Sequence, residues 1–158
     1  MKIVIILLSC ALYSTANGAY LPATCQTGWI KFKESCYYGY VYPMYTYREA
    51  EEVCTGMHST LVIINDAEEN LFLKAYTRNQ YHIWIGLNDI KVEGKFVWAD
   101  GSPLKYRNWN VGQPDNGSNR EDCAHLVFTA QGRWNDWPCS HRAGFVCEQK
   151  PRWQKNTL

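Results

Sequence analysis

The sequence predicts an α+β fold: two helices, antiparallel sheets, a long loop region set between the later strands, and three disulfides. Three observations predict it. Helical periodicity is confined to the stretch between Thr46 and Asn79. After it come short apolar runs separated by turn residues, the pattern of strands and connecting loops. Six cysteines remain once an N-terminal leader is set aside, an even number in a chain with an export signature.

The leader comes first in the chain. Lys2 precedes the apolar run Ile3–Leu8, which continues less strictly to Tyr13, and Ala16-Asn17-Gly18 fits a small-x-small cleavage site. Residues 1–18 are expected to be a signal peptide rather than an anchor, because the apolar run falls short of the roughly 20 residues a membrane span needs. No comparable run follows, so the protein is expected to be secreted and extracellular, with no membrane span. Removing 18 of the 158 residues leaves 140, suited to a single domain over 19–150 and a short C-terminal tail over 151–158. Lys2 is the only charge in the leader, so 16 basic residues become 15, against 15 acids. Such a balance gives no electrostatic reason to expect nucleic acid or an anionic membrane as a partner. There are no repeats and no low-complexity tracts.

Cys25 to Tyr42, rich in aromatics and Lys, is expected to form a disulfide-closed hairpin. Thr46-Tyr-Arg-Glu49 is a capping box, in which hydroxyl and carboxylate each satisfy a free amide at a helix start. The helix should run to about Met57, with Ala50, Val53, Cys54 and Met57 on one face and Gly56 near its end. Leu61–Ile64 is a short buried strand. Asn65 or Asp66 then caps a second helix, with Leu71, Ala75 and Tyr76 expected inward, Glu68 and Glu69 near its positive end, and fraying around Arg78-Asn79. Ile83–Leu87 and Lys95–Trp98 are expected strands, and Gly101-Ser-Pro103 a turn. From there to Arg120 the chain is polar and aperiodic, which in a compact domain usually marks a functional loop. Leu126–Phe128, Arg133-Trp134 and Gly144–Cys147 close the fold as short strands.

The loop ends in the run QPDNGSNREDC, Gln113 to Cys123, which holds Asp115, Glu121 and Asp122 with amides at Gln113, Asn116 and Asn119. Closely spaced carboxylate and amide oxygens suit a hard cation, and calcium takes about six to eight oxygens in irregular geometry. Gln113 and Asp115 project to the same side of an extended backbone, so Gln113, Asp115 and Glu121 can share one ion. A second polar cluster, Trp134-Asn-Asp136, adds an amide and a carboxylate, and a Cys123–Cys139 bridge would bring the two clusters together. Asp- and Gly-rich loops are commonly no more than solvated turns, but two such clusters flanked by cysteines favour an ion. Zinc is disfavoured, since there is no C-x-x-C pair and the four His are scattered. A hydrolase is disfavoured because His58, His82, His125 and His141 have no nucleophile motif near them.

These residues together resemble a known family. Trp84-Ile-Gly-Leu87, Gln113-Pro-Asp115, Glu121-Asp-Cys123, Trp134-Asn-Asp136 and the six cysteines look like a C-type lectin domain in its long form, and the resemblance covers Cys25 to Glu148. The overall pattern is also similar to small secreted invertebrate lectins of the perlucin type. The resemblance implies disulfides Cys25–Cys36, Cys54–Cys147 and Cys123–Cys139, a cis peptide before Pro114, and calcium as cofactor. It implies that Gln113, Asp115, Glu121, Asn135 and Asp136 bind the calcium that in turn binds sugar. Asp89 and Glu93, with Asn116, Asp122 and the Glu121 carbonyl, stand where some members hold a second calcium.

In this family Glu-Pro-Asn is the mannose-type signature, and Gln113-Pro-Asp115 has the reverse, galactose-type order of donor and acceptor. The expected ligands are therefore glycans with terminal galactose or N-acetylgalactosamine. A ring commonly stacks on the sugar in such members. Here Gly117 occupies the usual place, so Trp137 is the candidate, ahead of Trp109, expected in the core, and His141. Asn116-Gly-Ser118 is a glycosylation sequon inside the loop, expected to be unused. The expected function is non-catalytic: a calcium-dependent lectin recognising glycans in innate immunity or agglutination, with any homo-oligomer non-covalent. The alternatives are a mannose or fucose preference, and a structural or biomineral matrix protein on the same fold. Gly86 is expected to allow close packing.

Overall fold

The computed structural model describes residues 20–77 and 82–155. The leader expected over 1–18 and the fraying at Arg78-Asn79 lie outside the described residues. In chain order the elements are β1 (Tyr20–Thr24), β2 (Ile30–Phe32), β3 (Ser35–Tyr45), α1 (Tyr47–Gly56), β4 (Thr60–Leu61), α2 (Ala67–Tyr76), β5 (His82–Asn88), β6 (Val97–Trp98), β7 (Cys123–Val127), β8 (Arg133–Trp137), β9 (Ala143–Gln149) and β10 (Arg152–Lys155). The main sheet runs β2-β3-β9-β5-β7-β8, with β4 added to β9 and β6 to β5. All its pairs are antiparallel except β5–β9, which is parallel and corrects the purely antiparallel expectation. The residues expected as a tail contribute β10, which pairs with β1.

The local signals hold at α1. Thr46 accepts from the Glu49 amide at 3.3 Å, and the Glu49 carboxylate accepts from the Thr46 amide at 2.8 Å. That bond, with the Arg142 guanidinium nearby, holds the Glu49 carboxyl below its ordinary range. Ala50 and Cys54 are buried and Val53 and Met57 pack against the same cluster, as the 3.6-residue period requires.

The expected inward face of α2 is corrected. Asp66 caps the helix, accepting from the Glu69 amide at 2.9 Å, but Leu71 is 60% exposed and Ala75 is also exposed. The inward stripe is instead Glu69, Asn70, Leu73 and Thr77. Three of these are polar, and each has a buried partner, the Thr77 hydroxyl donating to the Leu73 carbonyl at 2.8 Å. The Tyr37 hydroxyl donates to Glu69 at 2.6 Å, and the Trp134 indole donates to Asn70 at 2.8 Å. Phe72 and Tyr76 flank the stripe, Phe72 stacking on Phe32 at 4.3 Å.

Strand alternation separates two clusters. Ile83, Ile85 and Leu87 of β5 and Val146 of β9 join Leu73 of α2 in one. Trp84, Phe145 and Cys147 join Ala50 and Cys54 of α1 in the other. Because neighbouring strand residues point to opposite faces, the two helices cover opposite faces of the sheet. This is why Ile83–Leu87 is apolar throughout rather than alternating. A Cβ on Gly86 would lie 2.7 Å from the Leu61 carbonyl oxygen, so only glycine admits β4 this close to β5. The expected strand at Leu61–Ile64 shortens to β4. Beyond it Val62 still donates to Val146 and accepts from Gly86. The strand expected at Lys95–Trp98 shortens to β6, after tight backbone turns through Asp89, Val92 and Lys95.

The disulfides are Cys25–Cys36, closing the β2–β3 hairpin, Cys54–Cys147, tying α1 to β9, and Cys123–Cys139. The last joins the start of β7 to the segment just after β8. The polar stretch after Gly101 is pinned from beneath by Trp134. Its amide donates to Asn108 O, its carbonyl accepts from Asn110 N, each at 2.8 Å, and the rings of Tyr106, Trp109 and Trp98 pack edge-on against it. Trp109 is accordingly a half-buried packing residue.

Candidate functional site

The segment 113–121 lies over the end of β8. Strand pairing sets Asp136 opposite Ala124 and Asn135 opposite His125, so the Trp134-Asn-Asp136 cluster is fixed by the sheet. Asp136 is 1% exposed. Its two carboxylate oxygens accept from the amides of Asp115 at 3.2 Å and Asn116 at 2.8 Å, which folds the loop onto the strand. Glu121 accepts from the Gly117 amide at 3.0 Å, and its own amide donates to Asn116 Oδ1 at 3.1 Å. Asn116, Ser118 and Asn119 all have left-handed backbones, with φ of 42°, 59° and 55°. Non-glycine residues rarely adopt that conformation, and such strain concentrates at binding sites. The Gln113–Pro114 peptide is cis, as the motif implies.

This arrangement brings oxygens of Asp115, Glu121 and Asp136 within 4.8 Å of one another. Among the described residues it is the one such cluster of acidic, His or Cys side chains. Three carboxyls so close repel when ionised. Burial chiefly raises the Glu121 carboxyl above its ordinary range, and the charges of Asp136 and Asp115 add to the effect. A divalent cation relieves that repulsion, and the donors are the hard oxygens calcium prefers. Gln113 supplies a fit test from another atom type: its side-chain oxygen is buried and accepts no hydrogen bond from the protein. Asn135 directs its amide nitrogen to the Asp136 carbonyl. The residues therefore suit calcium.

The second expected set is less convergent. Asp89 is 2% exposed. One of its oxygens accepts from the Gly94 amide at 2.7 Å and the other is buried without a partner. Burial, with Glu93 and Asp122 nearby, pushes its carboxyl up to about 6. The Asp122 carbonyl is occupied by the Asp89 amide at 3.0 Å, and Asn116 Oδ1 by the Glu121 amide. Asp89, Glu93 and Asp122 do not meet as the primary carboxylates do. The engaged, half-buried Asn116 side chain is also poorly placed for a glycan.

Trp137, expected beside the sugar, is held elsewhere. Alternation along β8 turns it to the face opposite Asp136, and its ring stacks on His82 at 4.4 Å and meets His141 edge-on at 4.3 Å. The sequence also did not suggest the backbone donors of Asp115, Asn116 and Gly117. Main-chain amides leave no residue signature, and the glycine at 117 was the single hint. A Cβ there would stand 3.0 Å from the Glu121 carboxylate.

Residues 44–149 match the family model described as Lectin C-type domain. The chain is 40% identical over 126 residues to the mouse low affinity immunoglobulin epsilon Fc receptor, covering 79% of this chain and 37% of that receptor. It thus spans about a third of that relative's length. The mouse scavenger receptor C-type lectin carbohydrate-recognition domain superposes with a TM-score of 0.75 at 39% identity, covering 82% of this chain and all of that one. The cow CD23 carbohydrate-recognition domain, determined in the presence of GlcNAc2Man3 oligosaccharide, gives 0.76 at 36% identity, covering 82% and 98%. The fold, the three disulfides and these matches show that the chain belongs to the C-type lectin domain family.

Proposed function

We propose that this protein is a secreted, non-catalytic, calcium-dependent lectin of galactose or N-acetylgalactosamine type. The observation that carries the reading is the convergence of Asp115, Glu121 and Asp136 within 4.8 Å beside Gln113-Pro114. Gln113, Asp115, Glu121, Asn135 and Asp136 would hold the primary ion. Calcium, when bound, supplies open coordination positions for two neighbouring sugar hydroxyls. The same side chains hydrogen-bond those hydroxyls. Gln113 donates through its amide and Asp115 and Glu121 accept, bonds strengthened by charge. The galactose preference rests on this donor–acceptor order across Pro114. Asp89, with Glu93, Asn116 and Asp122, forms a weaker second ion site, supported by the unpartnered buried oxygen of Asp89.

Trp137 is assigned a supporting role, packing against His82 beneath the sheet end that carries Asp136. Residues 1–18 act as the leader and 19–150 as the recognition domain. No helix among the described residues is long and apolar enough to cross a membrane. Binding by one small exposed site is weak, so useful avidity comes from several sites in a non-covalent oligomer or on a multivalent glycan. Glycan recognition in defence or agglutination is the use this chemistry suits.

The test is calorimetric titration of calcium and then galactose into wild type and Asp136→Ala. The variant should lose galactose binding and the calcium event of the primary site, keeping at most the weaker second event, while its near-ultraviolet spectrum shows an intact fold. Retained calcium-dependent galactose binding in a folded variant would remove the site.

A further inference from the structure

Beside the carboxylate cluster lies a second cleft, of about 350 Å³, reached across Pro114. Phe96, Leu104 and Trp109 line it with apolar surface, Phe96 and Trp109 meeting edge to face at 4.8 Å. Lys95 and Arg107 also line it and both are exposed. Neither the Lys95 ammonium nor the Arg107 guanidinium forms an ion pair or hydrogen bond among the described residues. Two unpaired cations and two aromatic rings thus line a cleft together with Pro114, which stands between Gln113 and Asp115.

We propose that this cleft is a subsite for a negatively charged group, a sulfate ester or a carboxylate, on the glycan held at the Asp115–Glu121–Asp136 cluster. It rests on the calcium-dependent reading above and extends it from a neutral sugar to an anionic one. Calcium offsets two of the three carboxylate charges of the primary cluster, so the neighbouring cations can attract an anion rather than merely screen those acids. The Arg107 fork matches the oxygen pairs of sulfate and carboxylate, and Lys95 adds a point charge. Phe96 and Trp109 offer apolar surface to the ring bearing the anion. Pro114 lines the cleft and stands between Gln113 and Asp115, which is why the anion is assigned to the same glycan.

The experiment prints galactose, galactose 6-sulfate, galacturonic acid, mannose and mannose 6-sulfate. The protein and its Lys95→Ala and Arg107→Ala variants are applied with calcium and with chelator. The 6-position leaves the ring hydroxyls at carbons 3 and 4 free. The expected result is about tenfold stronger binding of a charged sugar than of its neutral parent, the scale of a charge-assisted hydrogen bond. Each substitution should remove that advantage without changing binding to the neutral parent. Sulfate and uronate arms identify which anion is preferred. Equal binding of charged and neutral sugars by wild type, or an advantage that survives both substitutions, overturns the subsite. Charged sugars bound equally in chelator, with neutral ones ignored and both substitutions abolishing binding, would uphold the cleft and overturn the calcium reading. Failure to bind any of the five would overturn both.

Discussion

The indole nitrogen of Trp134 donates to Asn70 at 2.8 Å inside the core, joining the middle of α2 to the strand that carries Asp136. Asn70 returns the link, its amide donating to the Gly132 carbonyl at 3.0 Å in the turn that precedes the same strand. From Trp134 the backbone reaches Asn108 and Asn110, and two residues on, Asp136 gathers the amides of Asp115 and Asn116. One buried asparagine therefore anchors the platform on which the loop is folded.

Asn70→Ala should leave the indole N–H unpaired in the core and take one of two donors from the Gly132 carbonyl, which still accepts from the Asn108 amide at 3.1 Å. The expected loss is about 1–3 kcal/mol, the usual penalty for an unsatisfied buried group, with weaker calcium affinity because the loop platform loosens. Chemical denaturation and a calcium titration of the variant measure the two effects. A stable variant with unchanged calcium affinity would show that the platform does not depend on this contact.

Gly86→Ala should be costly despite its size. The added methyl meets the Leu61 backbone oxygen at 2.7 Å and backbone cannot swing aside. Such overpacking costs about 1–3 kcal/mol, and thermal melting should fall by several degrees. Wild-type melting behaviour would mean β4 and β5 can separate without penalty.

Asp89 carries a prediction about the calcium-free protein. Its folded carboxyl titrates at about 6, above the ordinary 3.8, chiefly through burial. The group therefore favours folding below the ordinary value and loses that contribution as pH rises through 6. Asp89→Asn should raise the melting temperature at pH 7 in chelator, and the gap from wild type should close below pH 4. Calcium should shrink the difference if Asp89 holds an ion. A destabilised variant in chelator at pH 7 would contradict the burial argument.

Acid should release the ion. Calcium requires ionised ligands, and Glu121 takes up a proton above its ordinary range because it is buried beside Asp136 and Asp115. Calcium affinity should therefore begin to fall at a higher pH than an exposed glutamate would dictate, and continue falling through the carboxylate range. Isothermal titration from pH 7 down to 4 checks this. Affinity flat across that range would mean the carboxylates are not the ligands.

Much of this molecule is legible in its sequence because its signals are local. The Thr46–Glu49 box sets the start of α1, and the uninterrupted apolar run Ile83–Leu87 marks a strand covered on both faces. The inward stripe of α2 is not legible. Glu69 and Asn70 face the core, and partners that no helical period announces make that tolerable: Tyr37 and Asn65 for Glu69, Trp134 and Gly132 for Asn70. Leu71, the apolar choice, faces out. The parallel β5–β9 pairing and the β1–β10 ribbon join segments far apart in the chain, so no local pattern announces them. At the site, Asp115, Glu121 and Asp136 are visible as motif residues. The amides that hold them are not, since any residue type supplies a backbone N–H. Trp137 follows Asp136 in the chain, yet strand alternation carries its ring to the other face.

In the proposed mechanism the oxygens of Gln113–Glu121 and Asn135-Asp136 hold an ion that holds a sugar. Retention of the protein on galactose and mannose resins, each in calcium and then in chelator, is the decisive measurement. Retention on galactose in calcium, release by chelator, and weaker retention on mannose are expected. Chelator-sensitive retention on mannose alone would contradict the galactose preference, and retention indifferent to chelator would contradict the ion-dependent mechanism itself.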